Sequence, residues 1–180
     1  DMKMYILFLS AFLTAFANCQ VNRCAVQVDG KYGFIDTLGK VVIQPQYKMA
    51  FQFSENLAAV IIDSTWGYID TNGKMVIEAR YNDAYYFYHG FAAVEVNGKF
   101  GMINRQGEYI LQPEYESVFA DHGGYAAVLK KGKKALYNAN QQRFLTEFDY
   151  TEMSELDNGF VLVKKNNLFG FINSEGKIVI

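Results

Sequence analysis

The chain has 180 residues, 51% of them hydrophobic and 16% aromatic, with a formal net charge of −2. That length and composition exclude an intrinsically disordered chain and allow one domain with a sizeable core. The balanced charge excludes the electrostatic footprint expected of a nucleic-acid or anionic-membrane binder.

In chain order, the first element is apolar. Lys3 precedes a run from Met4 to Phe16 broken only by Ser10 and Thr14. The run is too short to cross a bilayer comfortably and ends at Ala15-Phe16-Ala17, a small-x-small site of the kind signal peptidase cuts. Residues 1–17 are therefore predicted to be a secretory signal, followed by a short segment over 18–23; the competing reading is a buried N-terminal helix. The mature chain would then carry no membrane span and be periplasmic, surface-bound or secreted. Asp1 before Met2 points to an initiator elsewhere.

Two cysteines follow, Cys19 and Cys24, and there are no others. Cys19 is a candidate for lipid attachment, although Asn18 makes Phe16-Ala17-Asn18 a poor lipobox. Alternatively Cys19 pairs with Cys24 in an oxidising compartment. As a third reading, Cys24 fills an ordinary small-residue slot, equivalent to Ala58, Ala92 and Ala126.

From Cys24 onward the chain repeats. The signature is Trp66-Gly67-Tyr68-Ile69-Asp70-Thr71-Asn72-Gly73-Lys74. It recurs at Tyr32–Lys40, Phe100–Glu108 and Phe169–Lys177, and in a worn form at Lys134–Gln142. Its second position falls at residues 33, 67, 101, 135 and 170, a period of 34 that slips once to 35. A fixed period in this range marks a repeat architecture.

Each unit opens on an apolar run of strand length, such as Leu57–Ile62 or Phe91–Val96. The paired alanines in these runs predict close packing against a neighbouring layer. Asp29-Gly30, Asn97-Gly98 and Lys131-Gly132 then predict tight hairpins needing positive φ; Asp63-Ser64 and Asn166-Asn167 replace them in the second and fifth units. The signature supplies the second strand. Gly33, Gly67, Gly101 and Gly170 are predicted to admit a close backbone or ring. Asp36, Asp70, Asn104 and Asn173 are predicted to accept a bond from the N–H two residues on. Gly39, Gly73, Gly107 and Gly176 then close the turn in the left-handed region. A calcium site at Asp36 and Asp70 is disfavoured, because asparagine stands in the other units and EF-hand spacing is absent.

The third strand, as at Val41–Ile43 and Tyr109–Leu111, is predicted to stop at Pro45 and Pro113. Beyond it a tyrosine recurs at 47, 81, 115 and 150. Period-two alternation from Tyr47 to Phe53 and from Tyr81 to Phe87 predicts a fourth short strand, with a single helical turn as the alternative. Such a unit cannot bury both faces alone, so its neighbours must cover it.

These motifs resemble the bacterial WG-repeat family: aromatic-Gly-aromatic-Ile-Asp-x-x-Gly-Lys, Ile-x-Pro-x-Tyr and Phe/Leu-Ala-Ala-Val. The resemblance covers residues 24–180 as about five units, the first and last incomplete. Lys134-Ala135 departs from the pattern, so the fourth unit is degenerate. Only Trp66-Gly67 keeps the Trp-Gly pair. The resemblance implies an all-β protein of tandem antiparallel β-meander repeats, three to four short strands each, often exported, with no shared catalytic residues and a presumed interaction role. The meanders would form either a propeller-like ring or an open β-repeat array. Ile180 falls inside a third strand, so the expectation is either a longer chain or a ring closed by pairing with the first unit.

The sequence offers little for chemistry. His89 and His122 read as loop residues, no Ser-His-Asp order is legible, and phosphate-loop patterns are absent. No catalytic residue, metal or cofactor is predicted. Lys130-Lys131-Gly132-Lys133-Lys134 is a basic hairpin, either a solvated tip or, through Lys131 and Lys133, a patch for an acidic partner. Among Tyr85–Tyr88, the repeat assigns Tyr85 and Phe87 to the core beside Phe51, Phe53 and Phe119. Tyr86 and Tyr88 replace Gln52 and Ser54 and are the candidate binding surface. The expected function is non-catalytic protein or glycan binding, or scaffolding, at the bacterial envelope. The alternatives are an enzyme or accessory domain acting on a cell-wall polymer, and a spacer of a longer surface protein.

Overall fold

Two-residue turns and alternating apolar residues dictate antiparallel meanders, and the computed structural model, which describes residues 22–120 and 123–180, consists of them. The predicted leader over 1–17, Cys19 as a candidate for lipid attachment, and His122 lie outside the described residues. Cys24 is buried and disulfide-bonded. Two compact units divide the chain, one running to Tyr86 and the other from Phe87 to Ile180.

In the first unit, β1 (Cys24–Val28), β2 (Lys31–Ile35) and β3 (Val41–Tyr47) form one antiparallel sheet. A second sheet holds β4 (Leu57–Ile62), β5 (Thr65–Asp70) and β6 (Met75–Tyr81), and β7 (Asp83–Ala84) follows. The second unit begins with the meander β8 (Phe91–Val96), β9 (Lys99–Asn104) and β10 (Tyr109–Tyr115). Next comes a four-stranded sheet of β11 (Ser117–Ala120), β12 (Tyr125–Lys130), β13 (Lys133–Asn138) and β14 (Arg143–Phe144). The last sheet is β15 (Glu152–Met153), β16 (Phe160–Lys165) and β17 (Leu168–Asn173).

The signature glycine has the same neighbour in each well-kept copy. Tyr32 pairs with Tyr47 and Phe34 with Ile43, so Gly33 alone faces Gln44, Pro45 and Gln46. The surplus residues bulge toward the glycine. A Cβ at Gly33 would lie 2.5 Å from the Ile43 carbonyl oxygen, and one at Gly67 2.7 Å from the Ala79 nitrogen. The third strand therefore does not stop at proline. It runs through Pro45 and Pro113 to Tyr47 and Tyr115. A bulge needs no ladder N–H at that point, which is why proline is tolerated there.

Unit four shows why its motif is worn. Leu145 N–H donates to the Leu136 carbonyl at 2.8 Å and Lys134 bridges to Tyr150, leaving Thr146–Asp149 between the two pairings. That excursion is one residue longer than its counterparts, and it is the source of the slip to 35. Its Phe148 stacks on Tyr115 at 6.1 Å and meets Phe144 at 5.0 Å. The residue facing the longer excursion is Ala135, fully buried.

The Asx turns are near-identical. Asp70 Oδ1 accepts from the Asn72 and Lys74 N–H groups at 2.9 Å each. Asp36, Asn104 and Asn173 do the same for their own turns at 2.9–3.0 Å. Gly73 closes its turn at φ 82 and also rests on the Ile43 side chain, so both its conformation and its size are required.

The fourth segment is shorter than its alternation predicts, and it belongs to the next copy's sheet. Phe51 N–H donates to Ala59 O and Ile61 N–H to Met49 O, both at 2.9 Å. Likewise β11 pairs with β12 and β15 with β16. Tight turns join the segment to its partner, as at Glu55-Asn56 and Asn158-Gly159, all with positive φ. In these three cases a sequence repeat hands its end to its successor.

Burial follows the same rule. Phe34 and Ile43 of the first sheet share a core with Ala58, Val60 and Ile69 of the second. Met102 and Leu111 pack with Ala126, Val128 and Tyr137, and Leu136 packs with Val161, Val163 and Ile172. Ala58, Ala59, Ala92 and Ala93 are all buried, so these strands are covered on both faces.

Candidate functional site

The aromatic at the head of the signature needs cover, and in the first unit the fourth segment supplies it. Trp66, buried, stacks on Phe51 at 4.9 Å with the rings 26° apart. Phe51 stacks in turn on Tyr86 at 5.0 Å and 26°. The outermost ring, Tyr86, is 36% exposed, and its neighbour Tyr85 is 44% exposed. Tyr68 lies beneath this segment, and its hydroxyl donates to the Tyr85 carbonyl at 2.8 Å. Burial, more than any charge, pushes the Tyr68 phenol well above its ordinary range, so the group is a permanent donor at neutral pH. A main-chain anchor and a two-ring base thus hold Tyr86 in place.

Tyr85 departs from its predicted core position. The chain leaves β7 at Ala84, so strict alternation ends there; Tyr85 turns outward while Phe87 is buried. Phe119 departs in the same way, at 62% exposure. Its counterpart Phe51 is covered by Trp66, but Phe119 meets Lys134, whose Nζ lies 5.8 Å from the ring centroid. The repeat pattern had placed Phe119 in the core; the loss of the signature aromatic at 134 is the signal that it is not.

Tyr88 is 36% exposed and closes the tight turn around His89-Gly90, with Tyr88 and Phe91 exchanging N–H···O bonds of 2.8 and 3.0 Å. His89 is exposed at the first turn position, with φ 50. The basic hairpin is interleaved with acid. Lys131 and Gly132 donate their backbone N–H groups to the Glu116 carboxylate at 2.6 and 3.2 Å. Lys130 lies 4.0 Å from Glu114 and over the Tyr115 ring. Lys131 is exposed at the tip and Lys133 half-buried on β13. Among the described residues no group of His, Cys, Asp and Glu could hold a metal ion, and no helix is long and apolar enough to cross a membrane.

A family model for the WG-containing repeat matches the chain four times, over residues 32–66, 66–100, 100–133 and 137–169. No curated protein matches. Among solved structures, the chain is similar to a eukaryotic initiation factor at 12% identity and a TM-score of 0.58, covering 89% of this chain and 52% of that one. It is similar to Kluyveromyces lactis Hsv2 at 12% identity and 0.54, covering 89% and 63%. The WD40 beta propeller domain of Doa1 aligns at 11% identity and 0.43, covering 89% and 64%. The chain thus spans between half and two thirds of these proteins' lengths. At such identities the first two likenesses are of fold alone.

Proposed function

The chain belongs to the WG-containing repeat family, and on that premise we propose that it is an exported, non-catalytic interaction domain of the bacterial envelope. Its role is to hold aromatic side chains on a rigid repeat scaffold for a protein or glycan partner. The observation that carries this reading is the Trp66–Phe51–Tyr86 stack. A ring already fixed by its neighbours loses little freedom on binding, and tyrosine offers a flat apolar face with a polar tip. The polar residues of the signature support the non-catalytic part. Asp36, Asp70, Asn104 and Asn173 each use a side-chain oxygen to hold two turn amides.

The experiment is retention of envelope proteins and purified cell-wall polysaccharides on the immobilised chain. Tyr86→Ala is expected to lower retention at least about tenfold, as removal of a central aromatic anchor does. Lys131→Ala with Lys133→Ala is expected to leave it unchanged. Equal retention by the wild type and Tyr86→Ala would refute the site, and turnover of a retained polymer would refute the non-catalytic reading. Export is tested separately by N-terminal sequencing of the product, which should begin at or just after Asn18. A product retaining residues 1–17 would refute it.

A further inference from the structure

We infer that the worn fourth copy carries a pocket for one aromatic side chain of a partner protein. Strand pairing fixes how the copies correspond. Trp66 lies opposite Tyr81 and Lys134 opposite Tyr150, while Tyr68 lies opposite Ala59 and Leu136 opposite Ala127. In the second copy Trp66 and Tyr86 both stack on Phe51, and Tyr68 is anchored to the Tyr85 carbonyl. The fourth copy keeps the Phe51 ring as Phe119. It replaces the other three rings with Lys134, Tyr86 giving way to Glu155 and Tyr68 to Leu136. At this place the fourth copy has a cavity of about 250 Å³, lined by Phe119, Lys134, Leu136, Met153 and Glu155 among others. Every lining residue belongs to the second compact unit.

Size and lining choose the occupant. An apolar cavity of about 150 Å³ holds a benzene ring, so this one has room for an aromatic side chain. Leu136 and Met153 are buried and apolar, while Phe119 is 62% exposed and leaves its ring open to stacking. Lys134 Nζ lies 5.8 Å from the centroid of that ring, and a cation so placed can serve a second ring by the same attraction. A sugar suits the site poorly, because its hydroxyls would be buried against Leu136 and Met153 without partners. The Ser154 hydroxyl is already engaged: it donates to the Glu155 carbonyl at 2.8 Å and accepts from the Leu162 N–H at 3.0 Å. The two charged residues favour a ring carried on a peptide. An ammonium only donates and a carboxylate only accepts, and the main chain beside an aromatic side chain offers one acceptor and one donor. The opposite signs of Lys134 and Glu155 give a ligand of either net charge no advantage.

The test is titration of the 180-residue chain with N-acetyl-tryptophan amide, a capped aromatic residue, followed by NMR of the methyl groups. The Leu136 and Met153 methyl resonances are expected to shift saturably in the ring current of the bound indole. N-acetyl-leucine amide, with the same main chain and no ring, is expected to leave them in place. Phe119→Ala is expected to weaken binding about tenfold, because the stacking partner is lost. Lys134→Trp restores the aromatic of the second copy and is expected to fill the pocket from within, abolishing the shifts and raising the melting temperature. Lys134→Phe, the residue at Phe100 and Phe169, serves if tryptophan prevents folding, with the same expected loss. Resonances that stay unmoved up to about 10 mM probe would overturn the proposal. So would equal shifts with the leucine amide, or binding that survives both the Phe119 and the Lys134 substitutions. The outcome is independent of the Tyr86 site, which other residues form.

Discussion

Gly101 and Pro113 meet backbone to backbone: a Cβ on the glycine would stand 2.8 Å from the proline nitrogen and 2.5 Å from the Leu111 carbonyl oxygen. Each residue explains the other. The bulge places a stretch of chain without a ladder donor against the neighbouring strand, and only a residue lacking a side chain can face it. The bulge is flanked by Tyr115, paired opposite Phe100, which turns the strand end inward to a buried site.

The Asx turns give a graded prediction. Asp70→Asn should leave stability within about 0.5 kcal/mol, since an amide oxygen serves the same turn at Asn104 and Asn173. Asp70→Ala removes both bonds and should cost about 1–2 kcal/mol. Urea unfolding of the three proteins measures the difference; equal midpoints would contradict the role assigned to Oδ1.

Trp66 is the sole tryptophan and reports on its own stack. Phe51→Ala should shift its emission to longer wavelength, because water gains access to the exposed side of the indole. Tyr86→Ala leaves Phe51 in place and should shift it much less. Fluorescence spectra of the folded variants decide this, and equal shifts would refute the order of the stack.

Alkaline pH should unfold the protein through its buried phenols. Burial raises Tyr68, Tyr47, Tyr115 and Tyr137 above the ordinary value of 10.0. The folded state then holds each proton more tightly than the unfolded chain. This contribution is complete below pH of about 10 and is lost as pH rises above it. Tyr68→Phe should lose about 1 kcal/mol at neutral pH, where its bond to Tyr85 is missing, yet fall less steeply above pH of about 10. Melting temperature against pH for both proteins tests the sign; parallel curves would refute it.

Much of this was legible because the repeat checks itself. The period, both kinds of glycine and the Asx turns follow from local chemistry that recurs at 36, 70, 104 and 173, and the structure realises each in the same way. What was not legible depends on partners distant in sequence. Pro45 reads as a terminator when taken alone, and the register of β2 on β3 makes it a bulge instead. The fate of Phe119 depended on residue 134 opposite, where a lysine replaces the usual aromatic. Tyr86 stood out as unexplained by the repeat, but nothing local revealed that Phe51 would support it.

The most direct measurement compares one pair of substitutions in chemical unfolding, Gly101→Ala and Ala135→Gly. They are opposite changes at the same repeat position, against a three-residue bulge and a longer excursion. The account predicts that Gly101→Ala costs about 2–3 kcal/mol, because its Cβ meets immovable backbone. Ala135→Gly should also destabilise, by about 0.5–1 kcal/mol, since the site already admits a methyl group and glycine adds only unfolded-state freedom. A Gly101→Ala variant as stable as the wild type, or an Ala135→Gly variant more stable than it, would contradict the account.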